Sequence, residues 1–129
     1  MDLEDRIAIT ELISLHGHLV DAGEAPDRLF TPDVRYDVSA LGGGVLVGPK
    51  AVWEAGLALG DGNPVAHHVT NVVLTEVGPD EVASLSKGLG VMADGSCGSA
   101  TYEDTLVRTP AGWRISYRKV LPRRRPLQR

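Results

Sequence analysis

The 129-residue sequence has a single cysteine, few aromatic residues and no long apolar run. Because Cys97 has no partner within the chain, an internal disulfide is excluded, which agrees with a reducing compartment and with a cytoplasmic protein. No apolar stretch approaches the ~18 residues that a membrane span needs, and the acidic start of the sequence is unlike the basic start of a signal peptide. We therefore expect no membrane partner.

Basic residues are scarce outside the last twelve positions. Residues 1–117 hold seven Lys and Arg against 17 Asp and Glu, which leaves a net charge of −10. Since phosphate binding needs a basic surface, this acidic body argues against nucleic acid as the main partner. We predict a single domain over residues 1–121, followed by an Arg-rich tail over residues 122–129.

The first half of the chain is predicted to hold three helices and two short strands. Residues 2–21 carry apolar side chains at helical spacing on one face. Residues 25–30 fit a short second helix, and Pro49 suits the first position of a third helix that runs to about residue 59. The short strands are predicted at 34–38 and 45–47.

The second half is predicted to form four long strands joined by turn-forming residues. Their ranges are 65–77, 81–92, 98–109 and 112–121. Helices followed by strands linked through tight turns indicate an α+β fold, in which the helices cover one face of an antiparallel sheet.

Two adjacent histidines, His67 and His68, fall on one predicted strand. Side chains alternate along a strand, so only one of the two can face the interior of a regular sheet. His67 would share its side with Val69, and His68 would share the opposite side with Val72 and Leu74. Histidines that diverge in this way do not form a metal site, and the glycine-rich stretches fit no cofactor-binding motif, so we predict neither a metal nor a cofactor.

Several local sequences occur in an order and spacing that are specific for one fold. They are Ile9–Ile13 leading to Asp21, Leu29–Asp33, Gly48-Pro49, His67–Asn71 and Tyr102–Ile115. Over about residues 2–121 the sequence resembles the SnoaL-like branch of the nuclear transport factor 2 superfamily. The resemblance implies a cone-shaped α+β barrel: three N-terminal helices packed in a curved, mostly antiparallel sheet, with an apolar pocket in its mouth.

The resemblance also implies an Asp–His general acid/base pair, whose members correspond to Asp21 and His67 in this sequence. His68 is the alternative assignment for the histidine. The superfamily includes dehydratases, polyketide cyclases and dehydrochlorinases, and also proteins without catalysis. We therefore expect a small, cofactor-free lyase or isomerase, of dehydratase or polyketide-cyclase type, that acts on an apolar small molecule. The alternative is a non-catalytic ligand-binding or dimerisation module. Relatives often form homodimers through the outer face of the sheet, and Val72 and Leu74 are compatible with that interface.

Five residues are candidates for substrate binding: His16, Tyr36, His68, Tyr102 and Arg118. His16 lies at the centre of the apolar helix face, where enzymatic relatives often carry a Tyr or Lys that contacts the substrate. A satisfied core histidine is the other interpretation. On an ideal helix Asp21 lies about 140° from His16. We therefore expect the last turn of the helix to unwind or bend so that Asp21 can face the pocket.

Overall fold

The computed structural model describes residues 1–127, which form two α-helices, two short 3₁₀ turns and six strands. The helices are α1 (Leu3–Ala22) and α2 (Pro49–Ala58), and the strands are β1 (Phe30–Asp37), β2 (Val45–Val47), β3 (Ala66–Gly78), β4 (Glu81–Val91), β5 (Cys97–Thr109) and β6 (Gly112–Arg123). All six strands form one sheet in the order β2-β1-β6-β5-β4-β3. Within it β1 and β6 run parallel, and the other neighbours are antiparallel. The predicted α+β class is confirmed.

The prediction of three N-terminal helices is wrong, because residues 25–30 do not form a helix. Residues 27–29 form a turn, and β1 begins at Phe30. Leu29, at the end of the turn, and Phe30 are both buried, and Phe30 pairs with Ile115 of β6. Pro32 lies where the β1–β6 register is interrupted, so its missing N–H costs no regular ladder bond. Burial in the sheet thus outweighs a weak local helix pattern.

Helix α1 forms where it was predicted and supplies one side of the core. The Asp2 side chain caps its first turn, and Gly23, in the left-handed conformation at φ 67°, ends it. Its buried face includes Ile9 and Ile13, which pack with aliphatic residues of the sheet. The helix lies against β3 and β6. It therefore spans the inner face of the sheet and brings its C-terminal end to the start of β3.

The N-terminal end of α1 is tied to the far end of the sheet by Asp5. Its carboxylate accepts hydrogen bonds from both terminal nitrogens of Arg108, at 3.1 and 3.0 Å, and from the Trp113 indole at 3.0 Å. The Arg108 guanidinium stacks on the Trp113 ring, 4.5 Å from its centroid, and also binds Asp80. The hydrogen bonds from Arg108, and then that from Trp113, lower the pKa of Asp5 to about 2.

A β-bulge in β3 changes which side chains face the core. The register with β4 shifts between Thr70 and Val73, and Asn71 has a positive φ of 58°. As a result Val72 and Leu74 pack against the core, on the same side as Val69. The prediction that they lie on the exposed side of His68 is wrong, because it assumed a regular strand.

The four long strands begin and end within two residues of their predicted limits. Strand β6 continues to Arg123, two residues into the segment predicted to be a tail, and residues 128–129 lie outside the described part of the chain. Among residues 1–127, neither helix has the length and apolar character that crossing a membrane requires.

Candidate active site

Asp21 and His67 meet where the end of α1 crosses the start of β3. The Asp21 carboxylate lies 2.7 Å from Nδ1 of His67 and accepts the backbone N–H of the same residue at 3.1 Å. Both side chains are partly exposed, 17% for His67 and 29% for Asp21. A neutral imidazole that donates its Nδ1 proton to a carboxylate leaves Nε2 as the basic nitrogen. The carboxylate also fixes the orientation of the ring.

Glycine at position 17 allows this meeting, and sequence analysis overlooked it. A Cβ atom at Gly17 would lie 2.6 Å from the carbonyl oxygen of His67, so only glycine lets β3 approach the helix this closely. Asp21 is four residues further on, one turn along the same side of α1. The expectation that the last turn unwinds is wrong, because α1 continues to Ala22 and the strand crosses on the Asp21 side. A glycine inside a strongly helical pattern was the available signal.

The adjacent histidine, His68, is exposed and lies on the outer face of the sheet, opposite Leu89 of β4. Neither His68 nor His67 is among the residues that line the cavity described next, but His67 contacts two residues that do, Asp21 and His16. Of the two histidines, His67 is therefore the one that the fold brings to Asp21.

A cavity of about 310 Å³ lies between the C-terminal end of α1 and helix α2. Its lining includes His16, Val20, Asp21, Phe30, Val52, Trp53 and Leu57. The Trp53 indole donates a hydrogen bond to the carbonyl oxygen of Gly23 at 3.0 Å, which ties α2 to the end of α1. The lining is mostly apolar with a few polar groups, as in small-molecule sites.

His16 lies at the inner end of this cavity and is 4% exposed. Its ring packs edge-on against the ring of His67, with centroids 6.2 Å apart, and against that of Tyr102, at 5.7 Å. Burial, and to a smaller extent the charge of Arg118, hold the pKa of His16 well below its usual value of 6.5. The imidazole is therefore neutral at pH 7, and its Nδ1 atom has no hydrogen-bond partner among residues 1–127.

Behind His16 lies a buried ion pair between Arg118 and Asp104. Two hydrogen bonds of 2.7 and 2.8 Å join them, and both side chains are fully buried. The guanidinium stacks on the Tyr102 ring at 4.4 Å from its centroid, and Tyr36 lies opposite Arg118 in the β1–β6 register. Burial raises the pKa of Tyr102 to about 12 and also raises that of Tyr36, so both phenols are neutral at pH 7.

Two inward-facing serines of β4, Ser84 and Ser86, were missed by sequence analysis. Both are buried, and neither hydroxyl has a hydrogen-bond partner in the described part of the chain. Further along the same face, a Cβ atom at Gly88 would lie 2.4 Å from the Tyr102 hydroxyl, so glycine makes room for that ring. The alternation of Val82, Ser84, Ser86 and Gly88 was the signal that could have found this polar, small-residue face.

Within residues 1–127 no three His, Cys, Asp or Glu side chains converge in a way that could hold a metal ion.

Comparison with known families assigns the chain to one of them. The pattern of the SnoaL-like domain matches residues 1–119. The chain belongs to the SnoaL-like family. This SnoaL-like protein is 32% identical over 123 residues to an uncharacterized protein of Mycobacterium tuberculosis, in a match that covers 88% of this chain and 82% of that protein.

Solved structures share the same fold. An NTF2-like protein with a cystatin-like fold from Novosphingobium aromaticivorans superposes with a TM-score of 0.76 at 32% identity, covering 92% of this chain and 81% of the other. LinA superposes with a TM-score of 0.78 at 26% identity, covering 95% of this chain and 88% of the other. A hexachlorocyclohexane dehydrochlorinase, LinA-type3 from Novosphingobium barchaimii, superposes with the same TM-score at 23% identity and the same coverage. The family thus includes lyases and also proteins whose activity is not known.

Proposed function

We propose that this SnoaL-like protein is an enzyme of the lyase or isomerase type that uses His67, oriented by Asp21, as a general base on an apolar small molecule. The observation that carries the proposal is the 2.7 Å contact between Nδ1 of His67 and the carboxylate of Asp21, which lines a mostly apolar cavity. Such a pair needs no cofactor to move a proton. Membership of a family that includes a dehydrochlorinase supports a reaction of this class.

The proposed chemistry begins when Nε2 of His67 takes a proton from carbon or from a hydroxyl of the substrate. The imidazolium that forms is stabilised by the Asp21 carboxylate, which is already in hydrogen-bond contact. His67 then returns the proton, either to a departing hydroxyl, which leaves as water, or to another carbon, which completes an isomerisation or ring closure. General acid–base catalysis of this kind contributes about 10²–10⁴-fold in rate, and positioning in the cavity supplies more.

The remaining predicted site residues take supporting roles in this proposal. His16, Tyr36, Tyr102 and Arg118 form the polar inner end of the site, and their cluster lies around and behind the cavity wall made by His16. His68 has no role in the proposal, because it is exposed on the outer face of the sheet.

The adjacent histidines provide a matched test. A panel of apolar ring alcohols, ketones and halides is incubated with the protein, and loss of water, loss of hydrogen halide or uptake of deuterium is followed by mass spectrometry and NMR. We expect His67→Gln to reduce turnover of any substrate found by at least about 100-fold and His68→Gln to leave it unchanged. Full turnover by His67→Gln would overturn the proposal. Tight binding of panel members without any reaction would favour a ligand-binding module.

A further inference from the structure

A hydrogen bond joins the two helices beside the proposed base. The Trp53 indole of α2 donates its N–H to the carbonyl oxygen of Gly23 at 3.0 Å. Gly23 ends α1, and Asp21 lies two residues before it in the last helical turn. A side chain from a separate element therefore holds the backbone at the turn that carries Asp21.

The last turn of α1 has little of its own to keep Asp21 in place. Helix ends fray, because their final carbonyl groups lack partners within the helix. The turn holds no basic residue, and the negative end of the helix dipole disfavours the Asp21 carboxylate. Two backbone hydrogen bonds close the turn, and the carbonyl of Gly23 lies beyond them. The Trp53 indole supplies the partner of that carbonyl.

The contact between Asp21 and His67 depends on the orientation of this turn. Oδ1 of Asp21 lies 2.7 Å from Nδ1 of His67, and Oδ2 accepts the His67 backbone N–H at 3.1 Å. Because both carboxylate oxygens bind the same residue, a small rotation of the turn weakens both contacts. Gly17 sets the distance between α1 and β3 one turn earlier. The end of the helix needs a second attachment.

Helix α2 is attached to the sheet independently of α1, so it can serve as the support. At its start, the backbone N–H of Gly48 donates to the carbonyl of Val34 in β1 at 2.8 Å. Val52, the residue before Trp53, packs against the core. The indole is thus presented to Gly23 from a segment that the sheet holds.

We propose that Trp53 is a positioning residue: its hydrogen bond to Gly23 holds the last turn of α1 in the orientation at which Asp21 contacts His67. Trp53 acts on His67 through the backbone of α1 and the Asp21 carboxylate. The inference deepens the proposed function and rests on it for the catalytic consequence, because the aligned group is the proposed general base.

The cavity makes this arrangement sensitive to the bound molecule. Trp53, Gly23 and Asp21 all line it, so a ligand seated there lies against both partners of the hydrogen bond. A ligand that fits beside the indole leaves Asp21 aligned, and one that pushes the indole aside releases the last turn. Trp53 thereby links the fit of the ligand to the alignment of the base.

Backbone amide exchange of His67, followed by NMR in D₂O, tests the inference without a substrate. This amide donates to Asp21, so its exchange rate reports how often that contact opens. We expect Trp53→Phe, which keeps an aromatic ring and removes the N–H donor, to speed the exchange about three- to tenfold. Asp21→Ala removes the acceptor and gives the rate without the contact. No change in Trp53→Phe would overturn the inference.

Trp113→Phe is the matched control, because it removes an indole donor at the other end of α1. The Trp113 indole donates to Asp5 at 3.0 Å, and this residue is 6% exposed against 36% for Trp53. We expect Trp113→Phe to lower the melting temperature more than Trp53→Phe does, and to leave the exchange at His67 unchanged. If exchange at His67 instead followed the loss of melting temperature in both variants, the role of Trp53 would be general stability and the inference would be wrong.

A double variant tests the route from the indole to β3. Once Asp21→Ala has removed the acceptor, adding Trp53→Phe should have no further effect on the His67 amide. A further acceleration in the double variant would show that the indole acts on β3 by a route that does not pass through Asp21, which contradicts the inference.

Steady-state kinetics on a substrate of the proposed reaction test the catalytic consequence. We expect Trp53→Phe to lower kcat by at least about threefold, because the base is less often aligned. Leu57→Ala shortens another residue of the cavity wall, one turn further along α2, and should raise KM with kcat unchanged. A change in KM alone in Trp53→Phe would show that the indole is only a wall of the cavity and would overturn the inference.

The two kinds of measurement separate this inference from the proposed function. The expected exchange rates, together with no turnover of any substrate, support the positioning of Asp21 by Trp53 and contradict the general base. Turnover that depends on His67, with neither kcat nor amide exchange changed by Trp53→Phe, supports the base and contradicts the positioning role.

Discussion

Gly17 connects local backbone chemistry to the geometry of the site. Glycine inside a helix costs about 1 kcal/mol relative to alanine. Here the cost is offset because β3 can approach until the His67 carbonyl lies where a Cβ atom would be. The position of His67, and with it the contact to Asp21, therefore depends on the absence of one methyl group on the neighbouring helix.

Gly17→Ala should separate α1 from β3 and displace His67. The new Cβ atom would lie 2.6 Å from a backbone oxygen, which cannot rotate away as a flexible side chain could. We expect the free energy of unfolding to fall by about 1–3 kcal/mol. On a substrate of the proposed reaction, turnover should fall by about 100-fold for a displacement near 1 Å. Chemical denaturation and steady-state kinetics measure the two effects.

The control for this variant is Gly56→Ala, also within a helix. No atom lies within 4 Å of the position that its Cβ would occupy. Because alanine has a higher helix propensity than glycine, Gly56→Ala should raise the free energy of unfolding by about 0.5–1 kcal/mol. If Gly17→Ala were equally stabilising, the close approach of β3 to α1 would not constrain the fold.

At the scale of single elements, periodic sequence patterns predicted the helices and strands of the fold. Local departures from those patterns, such as a β-bulge, were not predicted. The apolar periodicity of α1 and the turn residues between the long strands marked those elements to within two residues. A weak local pattern predicted a helix over residues 25–30. The pairing of Phe30 with Ile115 in the sheet outweighs that pattern and decides the conformation of the segment. The bulge at Asn71 reverses the facing of Val72, which strict alternation cannot anticipate.

Residues of the candidate site could be named from the sequence where a side chain of suitable chemistry stands at a position that is functional in the resembling family. Asp21, His67, His16 and Arg118 were all named from the sequence. The contact between α1 and β3 joins residues 46 positions apart, so its closeness depends on Gly17 and on packing that no local pattern encodes. The unpartnered serines were missed for a related reason: a serine in a strand shows its burial only once the neighbouring strands are in place.

The tie between α1 and the sheet through Asp5 gives a prediction for acid stability. The pKa of Asp5 in the folded protein is about 2, below its ordinary value of 3.8. The unfolded chain therefore binds this proton first as the pH falls. The stabilisation from Asp5 is complete above about pH 4 and is lost as the pH falls through 2.

Asp5→Asn should lower the melting temperature by several degrees at pH 7, because the amide cannot accept both hydrogen bonds from Arg108. The difference between the parent protein and Asp5→Asn should stay constant from pH 7 to about 4 and shrink between 4 and 2. Asp80→Asn is the matched control: Asp80 binds the same arginine but is 71% exposed, so its removal should matter little. A difference that does not change with pH would contradict the assigned pKa shift.

At the scale of the whole molecule, the six-stranded sheet has two faces with different roles. Its inner face holds the core and, toward the start of β3, the candidate site. On its outer face β3 and β4 expose four aliphatic side chains: Val73, Val77, Leu85 and Leu89. Val73 and Leu85 are direct neighbours in the register and form the centre of an apolar patch, with Val77 and Leu89 further along their strands. A patch of this kind on a water-exposed face favours association.

We propose that this patch, in place of the Val72 and Leu74 side chains predicted from strict alternation, forms the interface of a homodimer. Leu85→Lys puts a charge at its centre and should convert a dimer into a monomer, because an unpaired ammonium cannot be buried between two apolar faces. Light scattering coupled to size exclusion, across the micromolar range, measures the mass. Leu59→Lys changes a leucine that is 62% exposed but lies away from the sheet, and should remain dimeric. The patch is not the interface if the parent protein is monomeric at every concentration, or if the dimer survives Leu85→Lys. Neither result would affect the chemistry proposed for Asp21 and His67, which lie on the other face of the sheet.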